Sequence, residues 1–347
     1  MEHVYVSVSG AAGYMGRNHL SKILKLQEAG QCELIAVCDP KLADLQHEYH
    51  TTLKQVRKFE YFDEMINHGA YGNHLVVISS PTQCHANQSK SALESSCVSA
   101  VLCEKPMAEY FLQAEDIRET QKYAKKPLMI TTTEHFNPAF QYAKTLLPQI
   151  GEIRQINARR MRPPLEEGRK PGLGRSANVS FDCGVHDIAN MLELYAEHGY
   201  NGVRIVGDSM ETQAVKQNPA KDFFTGRFDF TIGCGPRKNR FTLDIMNSFT
   251  SEKKYRVTTF RGNAGELTVD YIKNSVRLVT PEKDVTTTIK GDSMEKMYEA
   301  VFAEMTVHSR YPISLGIASG AVLIANSMAP RNEETRKHVD ESLEFWL

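Results

Sequence analysis

Over the first 126 residues, short apolar runs alternate with longer polar stretches of helical period, and no other feature limits the fold as much. The runs lie at residues 5–9, 34–39, 75–80 and 98–104. Between them, Leu, Ile, Met or Ala recur on one face with charges opposite, so helices are expected over 15–29, 41–55, 84–95 and 110–124. Strands joined through helices must cross over and run parallel, and the helices then cover the sheet. An α/β domain over residues 1–127 is the expectation.

After Pro127 the texture changes to two-residue alternation, at 152–161, 203–207, 225–233, 240–247, 255–261, 266–271, 276–279 and 285–289. Consecutive strands without intervening helices pair antiparallel. Helical stretches at 182–197 and 293–307 can cover one face, and a last one at 314–327 can pack on either domain. Residues 128–347 are therefore expected to form an α+β domain with a large, mostly antiparallel open sheet, serving substrate binding and oligomerisation. The segment after Pro330, residues 331–342, reads as a solvated end. A chain of 347 residues suits two domains of this kind.

Composition removes several function classes. Lys plus Arg number 41 against 42 Asp plus Glu, a formal charge of −1, so no global field draws the chain to nucleic acid or anionic lipid. No apolar run approaches the roughly 20 residues of a membrane span. The start lacks a basic segment followed by an apolar one, and the seven cysteines form no CxxC pair. Reduced thiols in a cytoplasmic protein, with no metal site, are the expectation.

The first strand runs into Gly10-Ala11-Ala12-Gly13-Tyr14-Met15-Gly16 and then a helix. Glycine at 10 would make a tight turn, at 13 would admit a pyrophosphate to the backbone, and at 16 would let helix and strand pack closely. The second strand ends in Asp39, 23 residues beyond Gly16, where an acid can accept hydrogen bonds from a ribose and repel a 2′-phosphate. Together these read as a Rossmann domain for NAD, with Lys41 leaving NADP open; the alternative for Asp39 is a turn residue before Pro40.

Two more strands end in Ser79-Ser80-Pro81-Thr82-Gln83-Cys84-His85 and Glu104-Lys105-Pro106. Their tips lie at the carboxyl ends of the sheet, where such sheets bind ligands. Lys105 there can hold a substrate hydroxyl and stabilise a developing alkoxide; on its own it could equally be a solvated lysine. Asp182 and His186 stand four residues apart, on one face of a helix. His186 suits proton transfer and Asp182 could orient it, or cap the helix.

These residues, with His135-Phe136-Asn137-Pro138, resemble the Gfo/Idh/MocA oxidoreductases, the glucose-fructose oxidoreductase, inositol dehydrogenase and rhizopine-catabolism group, over about the whole chain. The resemblance implies NAD(P) held by the loop Gly10, Ala12, Gly13, Tyr14, Met15 and Gly16, by Asp39, by Ser79, Ser80, Pro81 and His85, and by Glu104 and Lys105. It implies a catalytic set of Lys105, Asp182 and His186. Ala11 fills the position of the first glycine in the common G-x-G-x-x-G loop, residues 174–181 lack the usual glycine-rich stretch, and His135 stands where Arg is frequent.

Between residues 159 and 175, five Arg and one Lys face two Glu. Such a segment can clamp a carboxylate or phosphate, with Arg160 as a member, or can be a mobile charged loop. Arg160, Asn137 and His135 are the expected substrate residues. The expected activity is an NAD(P)-dependent dehydrogenase acting on a sugar, cyclitol or related polyhydroxylated, possibly anionic small molecule. A non-catalytic NAD(P) sensor and a glycosidase using NAD transiently are the alternatives. A homodimer or homotetramer is expected through the uncovered face of the second sheet.

Overall fold

A computed structural model describes residues 3–43, 45, 53–163, 179–197, 202–211, 223–232, 239–249, 251–307, 315–327 and 344–346. The chain divides into two compact units, Met1–Thr131 with Met297–Leu315, and Thr132–Lys296 with Gly316–Leu347. The sequence reading drew a single cut near residue 127, whereas here the first unit also takes back a later segment.

The first unit is built on strands β1 (Val4–Ser9), β2 (Cys32–Cys38), β3 (Arg57–Phe59), β4 (Asn73–Ile78), β5 (Ala100–Glu104) and β6 (Leu128–Thr131). They form a six-stranded sheet in the order β3-β2-β1-β4-β5-β6, parallel throughout. All five residues of β5 are buried, as a sheet covered on both faces requires, and each such Val or Leu contributes about 1.5–3 kcal/mol of transfer free energy. Helices α1 (Tyr14–Glu28), α2 (Phe62–Ile66), α3 (Thr82–Glu94) and α4 (Phe111–Ala124) connect the strands. In α1 the buried residues are Gly16, His19, Leu20, Ile23 and Leu26, a helical stripe in which a histidine stands among apolar neighbours. The helix expected at 41–55 falls mostly outside the described residues, and 53–56 are turn and bend. Strands β3 and β6 and helix α2 are additions to the sequence reading.

The second unit carries β7 (Ile153–Met161), β8 (Gly202–Glu211), β9 (Phe223–Ile232), β10 (Asn239–Ser248), β11 (Tyr255–Gly262), β12 (Glu266–Asp270), β13 (Ser275–Thr280), β14 (Lys283–Thr288) and β15 (Glu344–Trp346). The nine-stranded order is β14-β13-β12-β11-β7-β10-β9-β8-β15. Every pair is antiparallel except β7 with β10. Residues 344–346 pair with β8 as an edge strand; the segment expected to be a solvated end, 331–342, lies outside the described residues. Helices α5 (Pro138–Leu146) and α6 (Val179–Glu197) pack on the sheet, α5 on β12 and β13, α6 on β7, β9 and β10. Ile156, Ala158, Leu243 and Ile245 are buried, while the exposed Arg227 pairs with the outward Asp244. Helix α7 (Ser293–Val307) passes from the second unit into the first, and α8 (Leu315–Ser327) passes back. No described helix is long and apolar enough to cross a membrane.

Candidate active site

In the first unit the strand order turns back at β1, whose last residue Ser9 pairs with Cys38 on one side and Ile78 on the other. Open α/β sheets bind ligands at the carboxyl edge of such a reversal. Gly10 follows directly with φ +70°, and a Cβ on it would meet Ser80 N at 2.4 Å. A Cβ on Gly16 would lie 2.1 Å from Gly10 O, so helix and turn approach as only glycine allows. The Gly10 and Ala11 N–H groups donate to Cys38 O at 2.9 and 3.3 Å, and Gly13 N–H to Gly10 O at 3.0 Å.

Gly13 begins α1 without a side-chain cap, and the first turn holds no acid. The N–H groups of Tyr14, Met15 and Gly16 have no acceptor within the helix, by helix geometry, and sit at the positive end of its dipole. Tyr14 is exposed. An anion such as a diphosphate suits this end of the helix.

Asp39 lies one residue beyond β2 and is buried. Its Oδ2 accepts from Ala12 N–H at 3.0 Å and its Oδ1 from Lys41 N–H at 2.8 Å. The carboxylate thus ties the glycine loop to the tip of β2. With about four lone-pair positions on a carboxylate, capacity for ribose hydroxyls remains.

At the next tip Ser79 Oγ donates to Ser9 O at 2.6 Å, Ser80 Oγ donates to Gln88 Oε1 at 2.7 Å, and Pro81 precedes α3. His85 departs from its expected role. It is 1% exposed, with Nδ1 2.8 Å from Pro106 O and Nε2 2.8 Å from Ser80 O. Two carbonyl acceptors require two N–H donors, hence an imidazolium. Burial alone would push its pKa down, but Cys103 and the two carbonyls raise it to about 9. His85 is a clasp between the tips of β4 and β5, and not a ring turned toward a cofactor.

Glu104 closes β5 and is 4% exposed. Its Oε2 accepts from Lys105 N–H at 3.2 Å, its Oε1 lies 2.9 Å from His19 Nε2, and Thr131 Oγ1 accepts from Lys105 N–H at 3.0 Å. Burial pushes this carboxyl up, yet its bond to His19 and the nearby Lys105 charge outweigh it and leave the pKa below the usual range. The Lys105-Pro106 peptide is cis.

The second unit holds its own cluster. His186, on α6, has its Nδ1 2.7 Å from Glu134 Oε2. Glu134 Oε1 receives Arg160 at 2.6 Å and Arg256 at 3.1 Å. Arg160 also reaches Asp187 Oδ1 at 2.8 Å and Oδ2 at 3.4 Å. Burial would raise the Glu134 pKa, but His186 and Arg160, then Arg256, hold it well below the carboxylate range. The same two acids hold Arg160 charged against its burial. Asp182 is half-buried in the first turn of α6, which begins at Val179, so it does not cap the helix.

Three expected substrate residues are instead part of the frame. The Arg160 fork is spent on Glu134 and Asp187. Asn137 caps α5, accepting from Ala139 and Phe140 N–H groups, and donates to Asn274 Oδ1 at 2.7 Å. His135 is 2% exposed with Nδ1 3.0 Å from Glu193 Oε2, and Gln141 donates to its carbonyl. Of the arginine-rich segment, residues 164–175 lie outside the described residues, and Arg162 stacks on Phe249 at 4.0 Å.

Glu134 is the residue the sequence reading missed. It follows β6 by three positions, and an acid just past the carboxyl end of a strand is the signal that would have found it, had β6 itself been recognised.

Residues 4–135 match the profile of a family described as an oxidoreductase family with an NAD-binding Rossmann fold. Among solved structures, UDP-N-acetylglucosamine 3-dehydrogenase GnnA from Acidithiobacillus ferrooxidans superposes with a TM-score of 0.76 at 21% identity, over 95% of this chain and 97% of that one. A probable dehydrogenase from Thermotoga maritima gives 0.71 at 16%, over 99% and 98%. Biliverdin reductase from Synechocystis, in complex with biliverdin and NADP+, gives 0.67 at 15%, over 93% and 96%. At these identities the likeness is one of fold. A search of curated proteins returned no sequence match.

Proposed function

We propose that the chain, whose residues 4–135 match the Gfo/Idh/MocA oxidoreductase family with its NAD-binding Rossmann fold, is a member of that family and a dehydrogenase acting on a CH–OH carbon of a sugar, cyclitol or sugar derivative. The observation that carries this reading is the pairing of His186 with an ionised, buried Glu134. An acid/base histidine needs a fixed carboxylate behind one nitrogen so that the other is free to exchange a proton with substrate. With Nδ1 beside Glu134, Nε2 would take the proton of a substrate hydroxyl or return it to a carbonyl oxygen.

The glycine cradle and uncapped start of α1 fit a dinucleotide on physical grounds, because a Cβ at Gly10 or Gly16 would strike backbone and because the first-turn N–H groups suit a diphosphate. NAD(P) would be held by Gly10, Ala12, Gly13, Tyr14, Met15 and Gly16, by Asp39 at the adenosine ribose, and by Ser79, Ser80, Pro81, Glu104 and Lys105 toward the nicotinamide. Bound there, it would supply the hydride acceptor or donor. Asp39, a carboxylate at the ribose end, favours NAD over NADP. Lys105 orients the substrate hydroxyl and offsets the negative charge that grows on its oxygen. Asp182, four residues before His186 on α6, shares its face and holds a neighbouring substrate hydroxyl.

GnnA, a dehydrogenase of a nucleotide sugar, shares the fold over nearly the whole chain, which adds nucleotide sugars to the candidates. The test is the absorbance of reduced nicotinamide when NAD+ and NADP+ are each offered sugars, cyclitols, sugar acids and nucleotide sugars. Tight cofactor binding with no absorbance change across that panel would shift the reading to a cofactor sensor or to transient NAD chemistry. A homodimer or homotetramer in a cytoplasmic setting completes the proposal; light scattering that returns a 39.1 kDa particle across dilution would overturn the assembly.

A further inference from the structure

Beneath Lys105 lies a line of buried polar groups that the proposed chemistry does not use directly. Tyr298, on α7, His19, on α1, and Glu104, at the end of β5, are 0%, 0% and 4% exposed. Tyr298 Oη lies 2.7 Å from His19 Nδ1, and His19 Nε2 lies 2.9 Å from Glu104 Oε1. A neutral histidine has one donor and one acceptor nitrogen. A carboxylate can only accept, so Nε2 is the donor toward Glu104, and in the singly protonated ring Nδ1 is then the acceptor of the Tyr298 hydroxyl hydrogen. The carboxylate fixes the tautomer, and the hydroxyl, by donating to Nδ1, holds the ring in the plane that keeps Nε2–H on Glu104.

Glu104 passes the constraint on. Its second oxygen accepts from the Lys105 backbone N–H at 3.2 Å, which also donates to Thr131 Oγ1 at 3.0 Å. The backbone of Lys105 is thus held from beneath by an ionised carboxylate that is itself held by His19. We propose that Tyr298 and His19 are positioning residues for Lys105, acting through Glu104 to keep the lysine aimed for the reaction. The inference rests on the dehydrogenase reading for its kinetic consequence, but the relay itself stands on geometry alone. Apolar replacement would serve packing at these positions as well, which is why three polar groups in register call for a role.

The experiment has two readouts. Histidine side-chain NMR of the cofactor-loaded protein is expected to find His19 protonated on Nε2 alone in the wild type, with the Nδ1 resonance of a hydrogen-bonded acceptor, and that resonance moved to the position of a bare ring nitrogen in Tyr298→Phe. In kinetics on the best substrate of the panel, His19→Leu is expected to lower kcat by 10-fold or more with the cofactor KM changed less than threefold. Tyr298→Phe should lower kcat severalfold, and the double variant should be no worse than His19→Leu, since both cut one line. His19→Gln, whose amide can still donate to Glu104, should recover part of kcat. A wild-type His19 protonated on Nδ1, or single-variant losses that multiply in the double variant, would overturn the proposal. If His19→Leu does not fold, Tyr298→Phe carries both readouts by itself, and an unchanged Nδ1 resonance and kcat in it overturn the relay. If the wild type turns over nothing on the panel, the dehydrogenase reading fails while the tautomer result still decides the relay.

Discussion

His186 Nδ1 stands 2.7 Å from Glu134 Oε2, and that carboxylate, kept ionised in spite of its burial by His186 and then by Arg160 and Arg256, also receives both arginines. The histidine is therefore aimed by a residue that is itself fixed from the other side. Glu134→Gln keeps the volume and removes the charge. It is expected to destabilise the protein by about 3–5 kcal/mol, because Arg160 and Arg256 lose their shared partner and Arg160 is buried. It should also lower kcat by roughly 10²-fold through loss of His186 alignment. Chemical denaturation and steady-state kinetics check the two effects separately, and a variant as stable and active as wild type would mean that His186 is oriented by another group.

Acid should act on the same network. Glu134 and Glu104 have folded pKa values below the unfolded value of 4.5. Their contribution is complete above 4.5 and is lost as pH falls through the lower folded values. Base should act through His85, whose pKa is raised from 6.5 to about 9. Its clasp contributes fully below 6.5 and is lost as pH rises through about 9. Denaturation of wild type and His85→Leu at pH 6 and pH 10 checks this: the stability gap between them should narrow at the higher pH, and an unchanged gap would show that His85 is not an imidazolium in the folded protein.

The glycines of the first loop should separate by role. A Cβ at Gly16 meets backbone at 2.1 Å, whereas at Gly13 the nearest atom is 3.1 Å away. Gly16→Ala is expected to lower thermal stability and NADH affinity together. Gly13→Ala should leave the melting temperature within a few degrees and weaken NADH binding alone, since its side chain would stand where the dinucleotide approaches. Calorimetric titration with NADH beside thermal denaturation distinguishes the two outcomes.

The parts of the fold legible in sequence were those with strong periodicity. Strand β5, buried along its length, reads as a continuous apolar run, and α7 was expected over the same residues, 293–307, that it occupies. Short elements escaped: β3 and β6, with three and four residues, carry too little pattern to separate from loop. The local setting was legible at Gly10, whose positive φ and closeness to Ser80 N need glycine, and at Asp39, which stands just past β2 beside the glycine loop. It was not legible where a residue's partners come from far along the chain. Arg160 reads as a free fork until Glu134 and Asp187, 26 and 27 residues away, occupy it. His85 reads as a cofactor contact until Pro106 O claims its second nitrogen. His19 gives no signal beyond a polar residue on an apolar stripe, because Tyr298 is 279 residues distant.

The central claim, hydride transfer assisted by Lys105 and His186, is tested most directly by following reduced-nicotinamide absorbance for wild type, Lys105→Ala and His186→Ala over the substrate panel. The account predicts turnover of at least one polyhydroxylated substrate by the wild type and a loss of roughly 10²-fold or more in kcat in each variant, with NADH still bound. Turnover that survives in both variants, or a wild type that binds NADH yet oxidises and reduces nothing on the panel, would contradict it.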